Sequence, residues 1–142
     1  MGPVLNDQIC FALYSTSNSI TQAYRELLHP LRLTYPQFVV MMALWEQDNV
    51  SISTLANRIG LSKSTMTPLL KRLQSSGYIN RGYKEDDERE KQIQLTESGV
   101  AIAQTAKNIT QQAFCATGLT CNEAEQLIAM CQKLKSNLTH IE

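Results

Sequence analysis

A mainly helical chain with a small β-hairpin is the fold class this sequence predicts, and three observations predict it. Apolar residues recur at helical spacing over most of the 142 residues. Gly60, Gly77 and Gly118 stand at the ends of such runs, where a helix is most easily stopped. Only around residues 78–95 does the pattern change to short alternating segments joined by a polar stretch.

Residues from about 6 to 29 read as a first helix, with Asn6 a candidate N-cap. Ile9, Leu13 and Ile20 share a stripe with Leu27 near its edge, and His29-Pro30 ends the run. Thr34 caps a second helix that tolerates Pro36 in its first turn, and Phe38, Val39, Met42 and Trp45 form its apolar side up to Glu46. A third helix over about 53–59 buries Leu55, Ala56 and Ile59 and is closed by Gly60. Ser62 or Ser64 caps a fourth, which carries Met66, Leu69, Leu70 and Leu73 and stops at Gly77. Pro68, inside it, predicts a lost hydrogen bond and a local bend.

Helix, glycine-containing turn and helix together form the helix-turn-helix pattern. Residues 78–81 and 91–95 read as paired strands, with Ile93 and Leu95 inward and the polar loop between them as a wing. Thr96 caps a long fifth helix reaching about Cys115. Thr120-x-x-Glu123 is a capping box that opens a sixth, whose apolar face is Ala124, Leu127, Ile128, Cys131, Leu134 and Leu138. The architecture expected is a winged helix-turn-helix over residues 35–96, flanked by dimerisation helices at 1–34 and 97–142.

Charge points to the partner. Residues 49–84 hold six basic side chains (Arg58, Lys63, Lys71, Arg72, Arg81 and Lys84) and no acidic one, although the net charge of the chain is zero. A local positive surface attracts the phosphates of double-stranded DNA whatever the overall charge. With 43% apolar residues, no run of about 20 of them and no signal-peptide pattern, residence in the cytoplasm without a membrane association is expected. Cysteines there stay reduced. The spacings of Cys10, Cys115, Cys121 and Cys131 (105, 6 and 10) match no zinc pattern, and His29 and His140 are the sole histidines, so neither metal nor other cofactor is expected.

The wing carries Asp87-x-Arg89, then Ile93, Leu95-Thr96 and Gly99. Following a helix-turn-helix, that order resembles the MarR family of winged-helix repressors, and the resemblance covers nearly the whole chain. The run Gln8-Ile9-Cys10-Phe11-Ala12-Leu13-Tyr14-Ser15 narrows it, as do Tyr24, Leu33-Thr34-Tyr35-Pro36-Gln37 and Leu69-Leu70-Lys71-Arg72-Leu73. These are similar to the organic hydroperoxide resistance regulator (OhrR) branch. The resemblance implies a homodimer, not an enzyme, that represses from an inverted-repeat operator and lets go when an organic hydroperoxide oxidises its N-terminal cysteine. Cys10 occupies the reactive position, and Tyr14, Tyr24 and Tyr35 match the tyrosines around that thiol. A two-cysteine type further implies a disulfide between subunits, with Cys115 as the second thiol and Cys121 its rival. Where the branch usually has Asp-Ser-Gly-Thr, this chain has Ser62-Lys63-Ser64-Thr65, a change that bears on the operator sequence rather than on DNA binding.

A recognition helix enters the major groove with its N-terminal side chains at base edges. Lys63, Ser64, Thr65 and Thr67 are the candidates for that contact, while Ser62, Lys71 and Arg72 suit phosphates. Arg89 suits the minor groove, its guanidinium fixed by Asp87. The plain alternatives are a solvated helix face and a charged hairpin without contacts. Cys10 and Tyr14 are four residues apart on one helix face, so the phenol can donate to a thiolate. Tyr24, fourteen residues on, is about 21 Å along a straight helix and reaches Cys10 only from a partner subunit. Tyr35 serves at least as well as packing, and the plain alternative for Cys10 is a small buried apolar side chain. Two other functions compete: a repressor released by a small aromatic or electrophilic ligand, and a thiol peroxidase centred on Cys10.

Overall fold

The computed structural model describes residues 1–84 and 87–139, the side chains of residues 83–90 excepted. It is mainly helical with a small antiparallel sheet, the winged helix-turn-helix class expected. Two compact units are present, Met1–Ile109 and Thr110–Glu142.

In the first unit, α1 (Ile9–Leu28) is one continuous helix of 20 residues. A 3-10 turn, Leu5–Asp7, precedes it, so Asn6 is not the cap. Val4 O accepts the Asp7 N–H at 3.2 Å, closing a tighter turn there and leaving Gln8 at the N-cap without a side-chain capping bond. α1 stops before a second 3-10 turn, His29–Leu31, and Arg32 then takes a left-handed conformation with φ 57°.

α2 (Tyr35–Glu46) opens with a capping box. Thr34 Oγ1 accepts the Gln37 N–H, and Gln37 Oε1 accepts the Thr34 N–H at 2.9 Å, which satisfies a glutamine side chain that is itself buried. The expected apolar side was misplaced. Phe38, Val40, Met41 and Leu44 are buried, whereas Val39, Met42 and Trp45 are only half-buried. This helix is apolar almost all round, so periodicity cannot choose its inner face.

A two-residue strand, β1 (Val50–Ser51), leads into α3 (Ile52–Ile59), and Ser51 Oγ accepts the Thr54 N–H at 3.1 Å as its cap. Gly60 ends α3 at φ +85°, a conformation a side chain would resist. After Leu61 and Ser62 comes α4 (Lys63–Ser75), which continues through Pro68 as one helix. Met66, Leu70 and Leu73 on α4 are fully buried, while Leu69, like Ile59 on α3, is half-buried.

β2 (Ile79–Lys84) and β3 (Asp87–Leu95) are longer than the sequence suggested, in register from Ile79↔Leu95 to Tyr83↔Lys91 with a shift between Tyr83 and Lys84. β1 joins the other edge of β3 through Val50↔Ile93, giving the order β1-β3-β2. This strand was not foreseen, because two residues carry no readable alternation. The expected fifth helix is divided into α5 (Glu97–Ala101) and α6 (Ala103–Ala116). Ile102, with ψ −3°, tightens the turn between them.

The core lies around α2, where Phe38, Met41 and Leu44 meet Leu28 of α1, Leu55 of α3 and Leu70 of α4 in one buried cluster. Ile79 and Ile93 close it from the sheet, and Ala106 and Ile109 from α6. In the second unit, Gly118 (φ +71°) follows the end of α6, and Thr120 and Glu123 form the expected capping box at the start of α7 (Cys121–Leu138). No residue of α7 is buried, and Leu127, Ile128, Met130 and Leu138 are exposed. Among the described residues no helix is long and apolar enough to cross a membrane.

Candidate nucleic-acid interface and thiol site

α4 is held from inside by Met66, Leu70 and Leu73, one helical stripe. Ser64, Thr65, Pro68, Lys71 and Arg72 therefore fall on the opposite face, and all five are exposed. Lys63, at the first helical position, is exposed as well.

The hydroxyls at this end are connected. Ser62 Oγ accepts the Thr65 N–H at 3.2 Å as the N-cap and lies 3.0 Å from Ser64 Oγ and 2.9 Å from Thr65 Oγ1. Of the two cap candidates, Ser62 is the one used, so part of its bonding capacity is committed to the helix. Thr67 is half-buried and its hydroxyl donates to Lys63 O at 2.9 Å, which turns it back on the helix rather than outward.

The six basic residues of the acid-free segment are not equivalent. Arg58 is paired with Glu46 of α2 at 2.9 Å. Arg81, on β2 opposite Ile93, is half-buried with its Nε lacking a partner. The Lys84 side chain lies outside the described residues. Lys63, Lys71 and Arg72 remain, exposed and with no acidic partner among the described residues, and all three are on α4. The positive charge of the segment is thus concentrated on a single helix. Asp87 and Arg89 belong to β3, but their side chains also lie outside the described residues.

Behind that surface, hydrogen bonds that sequence reasoning missed set the wing and α4 in place. Asp48 Oδ1 accepts the N–H of Leu95 at 2.9 Å and that of Asn49 at 2.7 Å, tying the turn after α2 to the root of β3. Trp45 Nε1 donates to Gly99 O at 2.9 Å. Tyr78, just past α4, donates through its hydroxyl to Leu31 O at 2.9 Å. The partners are 47, 54 and 47 residues apart for Asp48–Leu95, Trp45–Gly99 and Tyr78–Leu31, too far for any local pattern.

Cys10 is exposed in the first turn of α1, with exposed Tyr14 one turn further on. Tyr24 is far from both along the same continuous helix and instead meets Tyr35 of α2, ring centroids 4.6 Å apart, and Phe38 at 5.8 Å. Burial, and secondarily the neighbouring Tyr35, raises the Tyr24 pKa above its ordinary 10.0, so the phenol keeps its proton and remains a donor. The four tyrosine and cysteine positions thus form two groups within one chain: Cys10 with Tyr14, and Tyr24 with Tyr35. In the second unit, Cys115 on α6 and Cys121 at the first position of α7 are exposed, and Cys131 is half-buried. Among the described residues no three His, Cys, Asp or Glu side chains gather as metal ligands.

Comparison with known proteins places this geometry. The MarR family model matches residues 33–91. The transcriptional regulator SarZ of Staphylococcus haemolyticus is 38% identical over 133 residues, covering 94% of this chain and 90% of that protein. The organic hydroperoxide resistance transcriptional regulator of Bacillus subtilis is 38% identical over 105 residues, covering 74% and 71%. Among solved structures, reduced AbfR bound to DNA superposes with a TM-score of 0.83 at 28% identity, over 96% of this chain and 93% of that one.

Proposed function

Since the chain belongs to the MarR family and is a DNA-binding transcriptional regulator, we propose that it is a thiol-based redox repressor of the OhrR branch, of two-cysteine type. The observation that carries this reading is the exposed Cys10 with Tyr14 one turn away, in a chain 38% identical to an organic hydroperoxide resistance regulator. As a homodimer it grips an inverted-repeat operator. Lys63, Ser64 and Thr65 of α4 face base edges, while Thr67, turned back on the helix, does not; Ser62, Lys71 and Arg72 hold phosphates; Arg89, oriented by Asp87, reaches the minor groove. Residues 1–34 and 97–142 make the dimer around the module at 35–96.

The switch is a two-electron oxidation. The Cys10 thiolate attacks the outer oxygen of an organic hydroperoxide, the O–O bond breaks, and the alkoxide leaves and takes up a proton as the alcohol. Sulfur is oxidised to the sulfenic acid while the peroxide is reduced. Cys115 of the partner subunit, or its rival Cys121, then displaces the sulfenic oxygen as water and closes a disulfide. Tyr14 of the same chain, with Tyr24 and Tyr35 of the partner, donates hydrogen bonds to the thiolate before it reacts. The distance along α1 supports the partner's involvement, since Tyr24 is about 21 Å from Cys10 within its own continuous helix.

Operator gel shifts before and after treatment with cumene hydroperoxide test this. Wild type is expected to dissociate with one peroxide consumed per Cys10, and Cys10→Ser to stay bound at the same dose. Release of Cys10→Ser along with the parent would reject the redox reading and favour ligand release. Continuous turnover with a thiol reductant would instead favour a peroxidase. On non-reducing gels the cross-linked dimer is expected to vanish in whichever of Cys115→Ser and Cys121→Ser removes the second thiol.

A further inference from the structure

Tyr78 occupies a joint between three elements. Its backbone is locked to the end of α4: the Tyr78 N–H donates to Leu73 O at 3.1 Å and the Gly77 N–H to Gln74 O at 3.0 Å, with Gly77 at φ +84°. That is the Schellman closure of a helix, and it leaves residue 78 little freedom to move apart from α4. The Tyr78 carbonyl accepts the Thr96 N–H at 3.0 Å, and Thr96 Oγ1 donates to Gly77 O at 2.5 Å, which binds the root of β3 and the start of α5 to the same point. From this joint the phenol reaches across to Leu31 O in the 3-10 turn that follows α1. The acceptor is itself fixed. Leu28, Leu31 and Leu33 are buried, and the Arg32 N–H closes the turn onto His29 O at 3.0 Å.

We propose that the Tyr78 hydroxyl is a positioning residue, the strut through which the turn after α1 holds α4 and the wing root at a set orientation. The inference rests on the proposed dimer, in which α1 carries subunit contacts and α4 reads DNA. Two recognition helices must present themselves to successive major grooves about 34 Å apart. Any looseness between the dimer-forming helix and the reading helix must be frozen out on binding, which weakens affinity without removing a contact. By the same route, a shift of α1 after Cys10 oxidation is delivered to α4.

Tyr78→Phe removes the hydroxyl and keeps the ring. The expected result, measured on reduced dimer by fluorescence anisotropy with operator DNA, is affinity about 3- to 10-fold weaker, the size of one hydrogen bond. The slope of log affinity against log salt should be unchanged, because no phosphate contact is lost. Val40→Ala, which trims a fully buried side chain of α2, serves as control: it is expected to lower the unfolding temperature while keeping wild-type affinity. Wild-type affinity in Tyr78→Phe overturns the proposal, as does a loss that both variants share in step with their unfolding temperatures. In peroxide-treated samples the ratio of reduced to oxidised affinity is expected to shrink in Tyr78→Phe by the same factor. Failure of wild type to release under peroxide would reject the redox reading alone, since the reduced-state comparison judges Tyr78 independently.

Discussion

α1 and α4 are both amphipathic helices, yet their apolar residues meet different fates. α4 has 13 residues and sinks Met66, Leu70 and Leu73 completely into the chain's own core. α1 has 20 residues and buries only Leu28, at its last position, while Ile9 is 63%, Leu13 38% and Ile20 40% exposed. A full burial of one such side chain is worth about 1.5–3 kcal/mol, so a stripe left in water represents a large unused driving force. Periodicity reports that a helix has a face to cover. It does not report which chain supplies the cover. In the proposed homodimer the partner covers α1, and Ile128, Met130 and Leu138 of α7 are exposed in the same manner.

Substitutions on the two helices should therefore fail in different ways, and this is the largest effect expected. Leu70→Ala should lower the unfolding free energy by about 2–5 kcal/mol in urea titrations, through lost burial and the cavity left behind. Leu13→Glu should retain its helical circular dichroism but sediment as a monomer. A dimeric Leu13→Glu protein would break the comparison, because the α1 stripe would then have no intermolecular role.

A smaller effect is expected where the reading module closes on itself. A Cβ on Gly99 would collide with the Tyr78 carbonyl and come within 3.3 Å of Leu95 Cδ2. The carbonyl is held by Thr96, so it has little room to yield. Gly99→Ala should cost about 1–3 kcal/mol of stability by overpacking, read as a lower urea midpoint with an unchanged slope. A neutral Gly99→Ala would show that the joint around Tyr78 is softer than the core beneath α4.

The smallest effect sharpens the picture of α1 at the end where it does join the core. Tyr24 has a raised pKa in the folded chain, against 10.0 for the ordinary phenol. The unfolded chain therefore loses this proton first. The contribution to stability is complete below pH 10.0 and is lost as pH rises toward and past the folded value. Urea midpoints taken on both sides of that pH should fall less steeply in Tyr24→Phe than in wild type. Parallel curves would mean that Tyr24 is no more desolvated than a surface phenol.

Much of the secondary structure was legible because the signals are local. The Thr34, Thr96 and Thr120 caps and the Gly60 stop act over three or four residues, so the residue types alone announce them. Asn6 misled because a 3-10 turn outcompeted the cap, and α2 misled because an all-round apolar helix does not name its buried side. β1 was too short to show a pattern. For the candidate interface, the acid-free segment marked the right region but counted six cations as equals. Glu46, twelve residues from Arg58, removes one of them, and the sheet takes Arg81 inward.

The order of elements, the helix ends and the clustering of positive residues followed from the sequence by itself, since each depends on neighbours along the chain and on backbone stereochemistry. Only the tertiary structure decided that Arg58 of that cluster is paired with Glu46 and Arg81 is half-buried, while the cations of α4 stay exposed, and that Tyr78 spans from the end of α4 to Leu31. Those facts depend on side chains brought together from positions 12 to 54 residues apart. Such meetings are set by how the core packs, and no local rule of spacing contains them.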